Sequence, residues 1–506
     1  MENKHLSAIP IIASDGRSIT EHIKPFYFNA FGSPKYWMQQ ESGTYTPLPG
    51  NEDLKRHLLR GGLNSKCYIQ PGLSEIQEAI GQIQVEKQIY YSGPLAGYMA
   101  GLYEFTNGKG LVTSNPNLIV PKKGDYSIIQ TILTNLLGEE QLVYFEGWLQ
   151  IAVQALMSNK RRTGQAIVFA GKRGCGKSLV QNQIITPLIG GRASKPYPWM
   201  TGKTDFNSDV FKGEHLLIED EYGSTYISSR RQFGAHLKQI AANEEQHFHQ
   251  KGLEAMIVKP FWRLSISVND EPENLTVLPI LDESLKDKIF LFKCRKVDMP
   301  MPTGTNEERE KFSGTIKAQL PCYLHYLLNE FVLPSSVTDQ RFGVKYYHHP
   351  EILGAINEMS PEEQLLEIMT AEYASYESNI QDDNSKTFLL NSIDIFQSLT
   401  GQNARHGKVA SKILTTIQSV RTYMNRLADK RPDCVNPYTF SDKQQGWRFT
   451  LKKNEGAVSG RQVIDLRNGD AYTNGEYSRK EMENYQQQVA PTKSAESQLS
   501  FIESET

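Results

Sequence analysis

The segment Gly171 to Ser178, GKRGCGKS, is the strongest constraint in the 506-residue sequence. It follows the apolar run QAIVFA, which is typical of a buried strand, and it precedes a stretch that is typical of a helix. A strand, a glycine-rich turn and a helix in this order direct backbone N–H groups at phosphate oxygens. We therefore predict a nucleotide-binding loop, in which Lys177 reaches the outer phosphates and Ser178 ligates Mg²⁺. The glycines that shape it are Gly171, Gly174 and Gly176.

Three further apolar runs follow the loop, and helix-like segments separate them. They are EHLLIEDE, FWRLSISVND and DKIFLFKC. Such alternation is typical of a mostly parallel sheet with helices on both faces. The sequence therefore predicts an α/β fold around the loop.

Polar residues end two of these runs. Glu219, Asp220 and Glu221 follow one run, and Asn269 ends the next. Parallel strands present their carboxyl ends at one edge of a sheet, so we expect these side chains beside the loop. One carboxylate can hold Mg²⁺ and another can polarise the attacking water, while the amide can bind the terminal phosphate. Alternation along a strand leaves the two acidic roles unassigned; we favour Glu219 and Asp220 for them.

Composition limits the function classes. The net charge is −2, so binding to a polyanion must rest on local basic patches. The five cysteines are scattered and form no CxxC pair, which favours a reducing cytoplasm. No apolar run approaches the roughly 20 residues that span a bilayer. Residues 1–125 hold no acidic cluster suited to two metal ions, so we do not expect priming activity there.

The pattern divides the chain into five parts. We expect an N-terminal α+β adaptor domain, an ATPase domain with a lead-in of two helices, a connecting segment, a winged helix and a disordered tail. Their bounds are 1–125, 126–300, 301–354, 355–453 and 454–506. The winged helix is predicted from three helices, the last of them over residues 408–429, followed by a β-hairpin.

The predicted winged helix contains a basic stretch, residues 401–432, with seven Lys or Arg against one acid. This excess predicts contact with DNA phosphates, although a solvated helical face or a subunit-docking module remains an alternative. The residues that we expect at the DNA are Arg405, Lys408, Lys412, Arg421 and Arg426.

GKRGCGKS, LLIED and SISVND, together with a hairpin-like segment whose tip is Lys251-Gly252, resemble the superfamily 3 helicases, a branch of the AAA+ P-loop ATPases. The resemblance covers about residues 125 to 300 and is strongest to the replication proteins of phages and mobile elements that append a winged helix. It implies that Glu219 and Asp220 bind Mg²⁺ and activate water, and that Asn269 senses the terminal phosphate. It also implies a hexameric ring in which Lys251 tracks single-stranded DNA.

The resemblance has one departure. Relatives place an arginine near the start of the final strand to reach a neighbour's nucleotide, whereas this chain offers Lys288 or Lys286. Lysine lacks the planar fork of arginine, and Arg230, Arg231 and Arg263 are unranked substitutes.

We therefore expect an ATP-hydrolysing DNA helicase that acts on single-stranded and forked DNA in the bacterial cytoplasm. The alternative is an ATP-switched DNA-binding initiator or regulator that does not unwind DNA; a small-molecule kinase is a weaker third reading. Near the C-terminus, Gln498 to Phe501 resembles a peptide that docks a sliding clamp, with a featureless tail as the default.

Overall fold

The computed structural model describes residues 10–477 apart from 161, 220–226, 253, 273, 297, 375–384, 453–460, 466–469 and 474–475. The chain divides into two compact units, Met1–Ile356 and Asn357–Thr506.

The first part of unit 1 mixes short strands with three helices. The strands are β1 (Phe26–Asn29), β2 (Tyr36–Gln39), β3 (Tyr45–Leu48), β4 (Tyr68–Gln70), β5 (Leu73–Ser74), β6 (Gln88–Ile89), β7 (Tyr91–Gly93), β8 (Gly101–Phe105) and β9 (Gly108–Val112). The helices are α1 (Ile19–Ile23), α2 (Asn51–Arg60) and α3 (Glu75–Glu86). They form sheets of order β3-β2-β1-β6, β7-β9-β8 and β4-β5. Buried side chains of the three helices and the first sheet make a separate core.

The second part of unit 1 carries the nucleotide-loop motif. Its helices are α4 (Ser127–Met157), α5 (Lys177–Leu179), α6 (Thr186–Leu188), α7 (Tyr197–Met200), α8 (Ile227–Ala242) and α9 (Glu283–Lys286). A π-helical turn, Val180–Ile185, joins α5 to α6, and 3₁₀ turns lie at Val210–Lys212 and Asn274–Val277. The strands are β10 (Ala166–Ala170), β11 (Ala193–Ser194), β12 (His215–Ile218), β13 (Gln246–Phe248), β14 (Met256–Val258), β15 (Arg263–Val268) and β16 (Ile289–Lys293).

Five of these strands form one parallel sheet of order β11-β12-β15-β10-β16. Every residue of β10, β12 and β15 is buried, as expected for strands with both faces covered. The prediction of a parallel α/β sheet is confirmed. Strand β11 could not be predicted, because a strand of two residues is too short to show a pattern.

The helical lead-in, predicted as two helices, is the long element α4, which is interrupted at Gly138 with φ 72°. The segment 301–354, predicted only as a connection, contains α10 (Asn306–Asn329), β17 (Thr338–Asp339), β18 (Gly343–Val344) and the first residues of α11 (Pro350–Glu358), with a 3₁₀ turn at Ser335–Val337. Helix α10 starts in a capping box of Thr305 and Glu308. Apolar side chains of α4 and α10 share one core with the parallel sheet, so this segment packs with the part of unit 1 that carries the loop.

One carboxyl group lies inside that core. Glu146 on α4 is 3% exposed and accepts hydrogen bonds from the hydroxyls of Tyr323 (3.2 Å) and Tyr326 (3.3 Å) on α10. Burial raises the pKa of Glu146 to about 7, although the two tyrosine hydrogen bonds oppose the shift. The carboxyl group is therefore protonated in the folded protein at mildly acidic pH.

This burial predicts a pH-dependent stability. The folded protein retains a proton on Glu146 that the unfolded chain releases near the ordinary value of 4.5, so the free energy of unfolding decreases as the pH rises from 4.5 through about 7. The loss is roughly 3 kcal/mol. We expect Glu146→Gln to reduce the difference in melting temperature between pH 5 and pH 8. Glu139→Gln, at an exposed position of the same helix, is the control, and an unchanged difference in Glu146→Gln would contradict the assignment.

Unit 2 combines helices with one sheet. Its elements are α12 (Pro361–Ala374), β19 (Ser385–Leu390), α13 (Ser392–Thr400), α14 (Gly407–Ile413), α15 (Ile417–Lys430), β20 (Val435–Thr439), β21 (Gln445–Lys452), β22 (Arg461–Asp465), β23 (Asp470–Thr473) and β24 (Glu476–Tyr477). The sheet order is β20-β21-β19-β22-β23-β24. Residues 408–429, predicted as one helix, form parts of two, because Thr416 caps the start of α15 in a capping box with Ser419.

The predicted tail, 454–506, contributes β22, β23 and β24 to this sheet. The clamp-like stretch from Gln498 to Phe501 lies outside the described residues. Among the residues that the structure describes, no helix is long and apolar enough to cross a membrane.

Candidate functional site

The loop from Gly171 to Ser178 links the end of β10 to the start of α5. Gly174 (φ 74°) and Gly176 (φ 107°) have left-handed backbone conformations that a β-carbon would strain. Gly176 is also the N-cap residue of α5, so the loop closes directly onto the start of a helix. This is the backbone geometry that the sequence predicts for a phosphate-binding turn.

Lys177 lies across this loop and is 6% exposed. Its Nζ donates to the carbonyl oxygens of Gly171 (2.5 Å) and Lys172 (3.0 Å) and to Oδ1 of Asn269 (3.3 Å). Asn269 follows β15, whose Val268 pairs in register with Ala170 of β10. The parallel pairing of β10 and β15 therefore brings the predicted loop lysine and the predicted amide into direct contact.

Glu219, which follows β12, approaches the same helix from the other side. Its Oε1 accepts a hydrogen bond of 2.7 Å from Nδ2 of Asn182, which also donates to the carbonyl oxygen of Ser178 at 3.0 Å. Its Oε2 lies 3.7 Å from Nζ of Lys195, just after β11. Sequence reasoning missed Asn182 and Lys195 because neither belongs to a recognised motif. Asp220 and Glu221 lie outside the described residues.

A buried polar network lies beneath the loop helix. Gln181 donates to Oγ of Ser265 on β15 at 2.8 Å, and the same hydroxyl is 2.6 Å from Nε2 of His215 on β12. Nδ1 of His215 is 2.6 Å from Oγ1 of Thr186. Burial lowers the pKa of His215 to about 3, so the imidazole is neutral and fixed by two hydroxyls. The network joins the helical segment after the loop to the neighbouring strands β12 and β15.

Two cysteines adjoin the loop. Cys175 lies within it and Cys294 follows β16; both are buried. A hydrogen bond from the Cys294 thiol, aided by Lys177, lowers the pKa of Cys175 to about 6, although burial opposes the shift. Burial raises the pKa of Cys294 well above its ordinary value. The Cys294 thiol and the Lys177 ammonium, whose Nζ lies 3.8 Å from Sγ of Cys175, thus both favour the ionised form of Cys175.

Strands β13 and β14 form the predicted basic hairpin. They pair antiparallel, with Gln246 opposite Val258 and Phe248 opposite Met256. Lys251 and Gly252 are exposed between them. Both groups of Asn207 brace the hairpin: Oδ1 accepts from the backbone N–H of His249 (2.7 Å), and Nδ2 donates to the carbonyl oxygen of His247 (2.8 Å).

The predicted DNA-binding residues of unit 2 fall into two groups. Arg405, Lys408 and Lys412 are exposed on α14 and the turn before it. On α15, Arg421 donates to Oγ of Ser392 (3.3 Å), and Arg426 lies 3.9 Å from the buried carboxylate of Glu362. Arg421 is also exposed and Arg426 is partly buried, so the second group differs mainly in its contacts within the unit.

The structure gives internal partners to three of the residues considered for a finger that reaches a neighbour's nucleotide. Lys288, 8% exposed, donates to the carbonyl oxygen of Ser284 (2.8 Å) and to Asp287 (2.6 Å). Arg230 donates to the carbonyl oxygen of Leu278, and Arg263 to that of Arg162. All three are buried, so their geometry does not favour this role; Arg231 and Lys286 are exposed.

The donor set around Ser178 fits Mg²⁺ as a partner of phosphate. Within the described residues, no group of three or more His, Cys, Asp or Glu side chains forms a metal cage. Mg²⁺ in nucleotide sites is held by one or two protein oxygens together with substrate phosphates and water, so no cage is required. The Ser178 hydroxyl and the Glu219 carboxylate are the oxygen donors that would serve; Asn182 donates to that carboxylate and to the backbone carbonyl oxygen of Ser178.

The comparisons with known proteins give limited likenesses. A model of a family of unknown function, DUF5906, matches residues 169–283, which span the loop and Asn269. No curated protein matches the sequence significantly. An apo structure of the NrS-1 C-terminal region is 14% identical, with a TM-score of 0.45, over 84% of this chain and 96% of that chain. The Cch active helicase of SCCmec type IV is 12% identical, with a TM-score of 0.26, over 92% of this chain and 90% of that chain.

The sequence predicts that Lys177 binds the outer phosphates of a nucleotide, and on that prediction removal of its charge should cost turnover. We expect Lys177→Ala to lower ATP hydrolysis more than about 100-fold, because a preorganised cation at the phosphates would be lost. Lys172→Ala removes an exposed charge from the same loop and serves as the control, with turnover within about twofold of wild type. Phosphate release measured with both variants checks this, and equal losses in the two would contradict the role of Lys177.

Proposed function

We propose that the chain is an ATP-dependent DNA helicase of the superfamily 3 type that acts in phage or mobile-element replication. The observation that carries the proposal is the 3.3 Å contact between Nζ of Lys177 and Oδ1 of Asn269, with Glu219 tied to the same helix through Asn182. A loop cation, a neutral amide and a carboxylate at one edge of a parallel sheet are the groups that phosphoryl transfer to water requires.

In this proposal the loop binds the triphosphate of ATP, and Lys177 exchanges its bonds to loop carbonyls for bonds to the outer phosphates. Ser178 and Glu219 are the residues that would hold Mg²⁺, and the ion would supply positive charge to stabilise the phosphates. Asn269 binds the terminal phosphate without adding negative charge. Asp220 is the proposed partner of Glu219 in polarising the attacking water.

The hairpin supplies the proposed contact with the translocated strand. Lys251 is exposed at its tip, and β14 runs through Phe261 into β15, the strand that Asn269 follows. A change at the phosphates and a change at the DNA would therefore act on one continuous segment. We propose that the subunits form a ring, a hexamer, with these hairpins facing the central single strand.

Removal of the hairpin charge should separate hydrolysis from unwinding. We expect Lys251→Ala to keep its basal ATP hydrolysis and to lose more than about tenfold in unwinding rate on forked DNA, because a charged contact with phosphate is lost. Lys259→Ala is the matched control, since Lys259 is an exposed lysine at the base of the same hairpin that pairs with Glu245. Unwinding by Lys251→Ala at the wild-type rate would remove the hairpin from the mechanism.

The helix-rich part of unit 2 is the proposed winged-helix DNA-binding module. Helices α13, α14 and α15 and the β20–β21 hairpin, which pairs with β19, support this assignment. The exposed cations Arg405, Lys408 and Lys412 carry its charge.

Substitution of these three residues together by Ala should weaken DNA binding and lower the slope of log affinity against log salt by about two to three. Titrations at several salt concentrations measure the slope. Lys311→Ala with Lys317→Ala, on the exposed side of α10, controls for a general loss of charge. An unchanged slope in the triple variant would exclude these residues from the DNA.

The same basic residues also favour a second candidate, an ATP-switched DNA-binding initiator that does not separate strands. The two candidates differ in their response to DNA. Strong stimulation of ATP hydrolysis by single-stranded DNA together with fork unwinding supports the helicase, whereas tight duplex binding with neither supports the switch. For either candidate, we propose that the C-terminal tail binds a sliding clamp.

A further inference from the structure

A cavity of about 350 Å³ lies beside the hairpin tip. Its walls come from the first part of unit 1 and from the β13–β14 hairpin. The lining residues that matter here are Phe31, Tyr90, Phe248, Gln250, Glu254 and Met256. We call it the hairpin cavity. Its volume lies at the lower end of the range for small-ligand pockets, roughly 300–1,000 Å³.

Aromatic rings form one side of the hairpin cavity. Phe31, 50% exposed, stacks on Tyr90 with ring centroids 5.6 Å apart and an interplanar angle of 24°. The Tyr90 ring lies so close to Gly108 that a β-carbon there would be 2.2 Å from it, so Gly108 is what lets the ring occupy this place. Phe248 is fixed below by edge contacts with Tyr91 (5.0 Å) and Phe211 (5.2 Å). The stack therefore presents a rigid aromatic face.

Hydrogen-bond acceptors line the cavity together with these rings. Oε1 of Gln250 is buried and has no hydrogen-bond partner, and the carboxylate of Glu254 is exposed at the rim. Asn107 also lines the cavity, and one N–H of its Nδ2 donates to the carbonyl oxygen of Ala255 at 2.8 Å. None of the residues that line the cavity is a lysine or an arginine. A phosphate or carboxylate ligand would thus meet negative charge, whereas a neutral ring with N–H donors fits.

We propose that the hairpin cavity binds one unstacked base of the single strand that passes Lys251, and that it prefers a base with an exocyclic amino group. The aromatic face stacks on the ring, and Gln250 and Glu254 accept from its amino group. This rests on the proposed function, since the strand must lie at the hairpin. Lys251 and Gly252 connect Gln250 to the rest of the hairpin, so a phosphate at Lys251 places its own base next to the opening.

The test uses the full-length protein and single strands of about ten nucleotides, a length within the range that one binding module covers. Oligo(dC) and oligo(dT) are compared, since cytosine carries an amino group where thymine carries a carbonyl oxygen. An abasic strand of equal length measures the backbone contribution alone. We expect wild type to bind oligo(dC) several-fold more tightly than oligo(dT), and both more tightly than the abasic strand.

Two variants locate this preference. Phe31→Ala, at a half-exposed position, should lower affinity for oligo(dC) about tenfold and leave binding of the abasic strand and the salt slope unchanged. Gln250→Leu fills the same space without the unpaired oxygen, so we expect an intact fold and loss of the preference for oligo(dC) over oligo(dT). Tyr68→Ala, an exposed aromatic residue that does not line the cavity, is the control. Lys251→Ala should instead lower the salt slope, by about 0.7.

The outcomes separate the two levels of inference. If wild type neither binds single-stranded DNA nor hydrolyses ATP faster in its presence, the proposed function fails. If wild type does both, but folded Phe31→Ala and Gln250→Leu bind all three strands as wild type does, only the base site fails. A loss of affinity that is equal for oligo(dC) and the abasic strand in Phe31→Ala would also overturn the base site.

Discussion

The parallel pairing of β10 with β15 on one side and β16 on the other is the constraint on which the candidate site depends. All five residues of β10 are buried, so its register is fixed by packing on both faces. That register places the loop after Ala170 beside the residues after Val268, and Lys177 then meets Asn269. The His215 and Ser265 network has a matching effect one strand further, since it ties β12 and β15 to the helix that follows the loop. The site is thus a consequence of strand order and not of local loop chemistry alone.

The sequence predicts the central elements well because their signals are local and strong. The loop spacing, the buried strands and the hairpin tip at Lys251-Gly252 can each be read from a short window. Asn182, Lys195 and Cys294 escape such reading, since each becomes relevant only through a partner far away in the chain: Glu219 for the first two and Cys175 for the third. The hairpin cavity could not be predicted for the same reason, because it combines residues near position 30 with residues near position 250.

Sequence reasoning also missed the break between α14 and α15, the strand β19 and the burial of Lys288. Residues 408–429 show continuous helical periodicity, yet the side chain of Thr416 accepts from the N–H of Ser419 and starts a new helix. A threonine within an amphipathic stretch does not by itself show that a helix starts there, because threonine also occurs inside helices. The strands that pair with β19 lie more than fifty residues later in the chain, so no local hairpin pattern predicts β19. The burial of Lys288 likewise depends on its bonds to Ser284 and Asp287, which charge patterning alone does not reveal.

The β13–β14 hairpin shows how the first part of unit 1 contributes to the proposed chemistry. A two-stranded hairpin alone is marginally stable in water, and this one pairs over only three residues on each side. Residues outside the hairpin hold it in place. Asn207 hydrogen-bonds the backbone of His247 and His249 at the end of β13, and Asn107 donates to the carbonyl oxygen of Ala255, just before β14. Phe248 of β13 packs against Tyr91 and Phe211. Two of these restraints, Asn107 and Tyr91, belong to the sheet around β9. That sheet therefore helps to hold the hairpin whose tip carries Lys251, and with it the wall of the hairpin cavity.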